Sequence, residues 1–251
     1  MAGTRKVPAT SLLNGLTMEP PTTRAPGPLR TLGWWAADYA YAVVWQVRGF
    51  FDRADPDDFR TGALTPVVVI PGIWESWKFL QPLVTEMHDR GHPVHVVTGL
   101  RFNNRPVVDA AAQVAAYLDR NDLTGTVVVA HSKGGLIGKY LMVDGAATTR
   151  IHGMVAVAAP FSGSLYARYL LVPSLRVFSP KNALVLALAR DESVNSRIVS
   201  VFARFDPHIP GGSELVGAKN VRLETGGHFR VLAHPRVMAE VALLAEDPAG
   251  P

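Results

Sequence analysis

From Pro66 onward, short unbroken apolar runs alternate with longer stretches of helical period. Val67–Ile70 has no polar alternation, as a strand covered on both faces requires. Val94–Val97, Thr126–Ala130, Met154–Ala158, Ile198–Phe205 and Asn220–Glu224 are further strand candidates. Between them, residues near 77–89, 107–120, 134–144 and 234–246 carry helical patterning. Strand, helix and strand in repeated succession predict right-handed crossovers and a mainly parallel sheet of the α/β class.

The region before Pro66 has a different pattern. Residues 1–30 hold Pro8, Pro20, Pro21, Pro26 and Pro28 without an apolar period, and read as a flexible tail. In residues 31–51, Leu32, Ala36, Ala40, Val43, Val47 and Phe50 recur at helical spacing, with Asp38, Gln46 and Arg48 on the opposite arc. Trp34, Trp35 and Trp45 fall on or near that polar side. The expectation is an amphipathic helix that either docks on the domain, contacts a membrane surface or meets another copy. The organisation predicted is a tail over 1–30, a helix and linker over 31–60, and one domain over 61–251.

Composition narrows the class. The chain has 251 residues, 48% hydrophobic and 18% charged, enough apolar material for a large core. It has no cysteine, which excludes disulfides, thiolate metal sites and a cysteine nucleophile. The net charge of +4 is spread along the chain, so no nucleic-acid-binding stripe is expected. No apolar h-region precedes a small-residue cleavage site, so no signal peptide is read and the expected location is cytoplasmic or membrane-associated through residues 31–51. No His-Glu-x-x-His or comparable ligand spacing points to a metal, and no cofactor is expected.

The segment with chemistry in it is Val127-Val128-Val129-Ala130-His131-Ser132-Lys133-Gly134-Gly135-Leu136-Ile137. A buried strand runs through a small residue into His-Ser-Lys, then two glycines, then a helix. A serine on so tight a turn needs small neighbours two residues to either side, and Ala130 and Gly134 supply them. The turn also sets Ser132 at a helix N-terminus, where the dipole favours a developing oxyanion.

Here the chain resembles the α/β-hydrolase superfamily, and within it small bacterial serine esterases and lipases. The resemblance spans roughly residues 64–246 and rests on Val67–Ile73, the Ser132 turn, Val157–Ser164, and the loops of Asp206 and His228. It implies an α/β-hydrolase fold with a mainly parallel sheet, flanking helices and a small helical cap. Pro71 departs from the family, many of whose members carry His before the Gly. The superfamily order is nucleophile, acid, histidine, so the partners of Ser132 follow it.

Asp206 ends the Ile198–Phe205 strand, where an acid faces the ligand crevice; Asp191 and Glu192 read better as solvated charges. His228 follows Gly226-Gly227 on a loop free to present an imidazole, with Phe229 beside it. His234-Pro235 instead reads as the entry to the last helix, His208 lies too close to Asp206, and His131 is expected beneath the turn. The resemblance implies that the oxyanion is held by the backbone N–H groups of Ile73 and Lys133. Trp74 and Trp77 either wall the pocket or pack at a helix start.

The Leu-rich stretch from about 165 to 192 has room for two short helices and is expected to cap the site. The resulting expectation is a carboxylic ester hydrolase, acting on a small-molecule acyl or lipid-like ester through an acyl-serine intermediate. An acyltransferase or thioesterase would use the same residues. A catalytically silent binding protein on this fold is the alternative from another class.

Overall fold

The computed structural model describes residues 26–145, 147–169 and 173–246. Residues 1–25, most of the tail, lie outside the described residues, as do Leu170, Leu171 and Val172.

In chain order the elements are α1 (Pro28–Phe51), β1 (Val67–Ile70), α2 (Gln81–Asp89), β2 (Val94–Val96), α3 (Val107–Arg120), β3 (Thr126–His131) and α4 (Lys133–Val143). Then follow β4 (Ile151–Val157), α5 (Pro173–Arg176), α6 (Ala183–Arg190), β5 (Ile198–Phe205), β6 (Lys219–Gly226) and α7 (Pro235–Glu246). The six strands form one parallel sheet in the order β2-β1-β3-β4-β5-β6. The apolar runs of β1 and β3 are buried residue for residue, as a sheet covered on both faces demands. One core lies between the sheet and α3, α4 and α6 and includes Val68, Val114, Ile137, Met154 and Leu188. The other lies beneath α2 and α7 and includes Val69, Leu83, Val129, Val201 and Val241.

The strand order reverses at β1. Its loop leads to β2 on one side, while β3 pairs on the other, with Ile70 opposite Ala130. Such a switch point opens a crevice beyond the carboxyl ends of the strands. The loops after β1, β3, β4, β5 and β6 all emerge at that end.

The structure corrects the boundary of the first helix and shows which of its faces docks. The helix predicted from residue 31 begins at Pro28, three residues inside the presumed tail, because proline's fixed φ suits a first helical position. The face that docks is the one opposite the regularly spaced apolar residues. Trp34, Tyr41, Ala42, Trp45 and the fully buried Asp38 turn inward, and α1 packs on β6 and on the short 3-10 turns at 77–80 and 230–233. Leu32, Val43, Val47 and Phe50 face outward, Phe50 with 83% of its surface exposed. Positions 34, 38, 41 and 45 are also helically spaced, and aromatic packing around one satisfied carboxylate decides which arc is buried.

The Leu-rich stretch is only in part a cap. Val185 and Leu188 of α6 are buried in the core beside α4, so this helix belongs to the layer flanking the sheet. The 3-10 turn Leu165–Tyr169 follows the β4 loop at the carboxyl edge, where Leu165 and Tyr166 are exposed. Among the described residues, no helix is long and apolar enough to cross a membrane.

Candidate active site

Ser132 stands between β3 and α4 with φ 50° and ψ −116°. A serine tolerates this left-handed backbone only when its surroundings hold it. Ser132 N–H donates to Val157 O at 2.8 Å, and Gly135 N–H donates back to Ser132 O at 3.0 Å. The glycines are a packing requirement. A Cβ on Gly134 would come within 2.4 Å of Ile70 O, and one on Gly135 within 2.4 Å of Ala159 Cβ. The start of α4 therefore abuts the end of β1 at Ile70 and Pro71.

The sheet brings together three residues distant in sequence. His228 Nε2 lies 3.0 Å from Ser132 Oγ, and His228 Nδ1 lies 2.8 Å from Asp206 Oδ2. All three are nearly buried. Asp206 Oδ1 accepts the N–H groups of His208 at 2.7 Å and Ile209 at 3.0 Å. Burial opposes ionisation of Asp206, but the facing His228 and those two N–H donors hold its carboxyl below the usual range. Burial likewise disfavours the His228 imidazolium, but Asp206, with Glu75 and Asp38 further off, raises the imidazole above its ordinary value. In this arrangement a hydroxyl can pass its proton to an imidazole whose far side is braced by a carboxylate.

Of the other sequence candidates, His234 and Asp191 lie elsewhere, while His208 and His131 flank the site. His234 Nδ1 accepts Arg236 N–H at 3.1 Å at the start of α7. Asp191 accepts from Ser193, beyond the end of α6. His208 sits over the site, its ring centroid 4.7 Å from that of His228, with Nε2 3.2 Å from Tyr39 Oη. Burial, reinforced by the neighbouring His228, drives the His208 pKa down to about 4, so it stays neutral. His131 packs under the turn as expected.

Lys133 is the first residue of α4, so its N–H has no intrahelical acceptor. Its side chain is buried, and its ammonium donates to the carbonyl oxygens of Asn103, at 2.8 Å, and Arg105. Asn103 Nδ2 donates to Pro71 O at 2.6 Å, and Trp74 N–H donates to Phe102 O at 2.7 Å. The serine turn is thus tied through Lys133 and the 102–105 loop to both sides of Ile73. Trp74 is half exposed at this edge, whereas Trp77 packs against Phe59. Among the described residues, no group of three or more His, Asp and Glu side chains could hold a metal ion.

Sequence reasoning missed three residues: Asp38, Glu75 and Lys133 in its side-chain role. Glu75 Oε2 accepts both Gly72 N–H and His131 Nδ1 at 2.8 Å. Asp38 accepts three backbone N–H groups from the His228 loop. A buried acid three residues from the exposed Trp35 has no local signature. The only available signal was the cost of burying any of these charges without partners.

No family model and no curated protein matches the chain. Solved structures do match. A mature lipase from Bacillus licheniformis aligns at TM-score 0.54 and 15% identity, over 74% of this chain and 96% of its own. An extracellular α/β-hydrolase from a Paenibacillus species aligns at 0.51 and 18% identity, over 73% of this chain and all of its own. A thioesterase domain from the curacin biosynthetic pathway aligns at 0.52 and 13% identity, over 72% of this chain and 92% of its own. Likeness at these identities is likeness of fold.

Proposed function

We propose that this chain, which has the α/β-hydrolase fold, is a serine hydrolase that cleaves carboxylic esters with apolar acyl groups. The observation carrying this reading is the continuous Asp206–His228–Ser132 hydrogen-bonded chain on a strained strand-to-helix turn. Ser132 Oγ attacks the ester carbonyl as its proton moves to His228 Nε2. The backbone N–H groups of Ile73 and Lys133 hold the oxyanion. The C–O bond to the alcohol then breaks, and His228 returns the proton to the leaving oxygen. Water repeats the sequence on the acyl-serine and releases the acid. Asp206 keeps the imidazole oriented and offsets its charge throughout.

The acyl preference is supported by the rim of the crevice. Trp74 and Phe102 are exposed near the Ile73 turn, Leu165 and Tyr166 after β4, and Trp35 on α1. Each further buried methylene contributes about 0.8 kcal/mol, roughly fourfold in transition-state binding. The test is a p-nitrophenyl ester series. kcat/KM is expected to rise from acetyl to hexanoyl or octanoyl, and a maximum at acetate with steady decline would reject the lipid-like substrate.

The outer arc of α1 supports contact with a lipid surface. Its apolar side chains are exposed, the one acid of the helix is turned inward, and Arg30 and Arg48 supply positive charge near the two ends. Sedimentation with anionic vesicles should carry the protein down, and Val43→Asp with Val47→Asp should release it. A wild-type protein that stays in the supernatant would remove this contact.

A further inference from the structure

Asp38 is fully buried and is the only acid in α1. Its carboxylate serves a single segment. Oδ2 accepts His228 N–H at 2.8 Å, and Oδ1 accepts Phe229 N–H at 2.8 Å and Arg230 N–H at 2.9 Å. These three consecutive donors open the 3-10 turn Arg230–Ala233, so a carboxylate from 190 residues upstream caps it. The approach needs the preceding glycine. Gly227 has φ +127°, and a Cβ there would lie 2.5 Å from Asp38 Oδ1. Two successive glycines would otherwise leave the loop conformationally free. On its other side, the carbonyl of His228 accepts from His131 Nε2 at 3.0 Å.

We propose that Asp38 is a positioning residue: by fixing the backbone of residues 228–230, it holds the His228 imidazole in line between Asp206 and Ser132. This inference rests on the reading of His228 as the base. It makes α1 a structural part of the site, although the helix lies outside residues 64–246, which carry the sequence resemblance. Charge-assisted bonds of this length are stronger than neutral ones, and placement errors near 1 Å cost about 100-fold in rate. The charges facing His228 are Asp206 from the end of β5, Glu75 from the β1 loop and Asp38 from α1; the titratable rings of His131 and His208 also face it.

The test is Asp38→Asn, which keeps the shape but turns a second donor group toward backbone N–H groups. The expected result is a roughly 10- to 100-fold fall in kcat, KM within about twofold of wild type, and an acid limb of the pH profile displaced to lower pH. Trp45→Leu, on the same inner face but away from the loop, should lower the melting temperature and leave the pH profile in place. An Asp38→Asn enzyme with wild-type kcat and pH profile would overturn the proposal, even if it melted earlier.

Should Asp38→Asn fail to fold, amide exchange in the wild-type protein decides. The N–H groups of residues 228–230 should exchange far more slowly than that of exposed Gly211, and equal rates would overturn the clamp. A failure of the catalytic reading itself is seen separately, as a wild-type protein whose Ser132 does not react with a fluorophosphonate.

Discussion

His131 Nε2 donates to the carbonyl oxygen of His228 at 3.0 Å, although neither ring takes part in the other's side-chain chemistry. His131 Nδ1 lies 2.8 Å from Glu75 Oε2, which also accepts Gly72 N–H at 2.8 Å. One buried chain therefore joins the residue before Ile73, the residue before Ser132 and the backbone of the proposed base. The proposed oxyanion loop, nucleophile and base share a polar frame, so a change in any one is felt by the others.

The two histidines of the last loop should separate cleanly. Ser132→Ala and His228→Ala are each expected to lower ester hydrolysis by on the order of 10³-fold or more, because such residues act as a unit. His234→Ala should keep its activity and lose about 1 kcal/mol of stability, since His234 accepts one N–H at the start of α7. Rates on a soluble ester, with thermal melts on the same samples, check both. Inactivity of His234→Ala with survival of His228→Ala would assign the base to the wrong residue.

The pH profile has a definite sign. A base must be neutral to accept the serine proton, so kcat/KM should be full at high pH and fall as His228 becomes charged. Burial lowers its affinity for the proton, but the carboxylates of Asp206, Glu75 and Asp38 outweigh this and raise it above the ordinary value of 6.5. The acid limb is accordingly expected above 6.5, and below the wild-type position in Asp206→Asn. A wild-type limb under 6 would contradict this electrostatic account.

Lys139 offers a stability test away from catalysis. It is fully buried in α4, and its Nζ has no hydrogen-bond partner among the described residues. Burial pushes its pKa down to about 8, against the pull of Asp191 and Glu192. An unfolded lysine holds its proton to about 10.4, so between these values the unfolded state binds more protons and stability rises with pH. Lys139→Met should be more stable than wild type at pH 7, by about 1–3 kcal/mol, with the gap closing between pH 8 and 10.5. A gap independent of pH in chemical denaturation would show that the charge is not the cause.

The strands were legible because a sheet covered on both faces leaves no polar alternation, and β1 and β5 match their predicted ends. The Ser132 turn was legible because close backbone approach restricts which residues can flank it. Asp206 and His228 were found through their place at strand ends. Asp38 was not, because an acid on an amphipathic helix ordinarily marks the wet side, and its partners lie 190 to 192 residues away. For the same reason the spacing left open which arc of α1 docks, and the arc that does is the one carrying Asp38. Lys133 and Lys139 read as polar helix residues, since nothing local records that their stems run through the core.

Residues 52–66 are the one covalent link between α1 and the sheet. The grip of the helix on the His228 loop does not pass through that link. A protease cutting there would leave α1 held by non-covalent contacts alone, those of Trp34, Asp38, Tyr41 and Trp45 among them, and the proposed enzyme would be in two pieces. Its activity would then follow mass action, fading on dilution as the helix departs and returning when a peptide of residues 28–51 is added back. In a nicked chain, the concentration of a fragment that carries none of Ser132, His228 or Asp206 would set how much of the proposed activity remains.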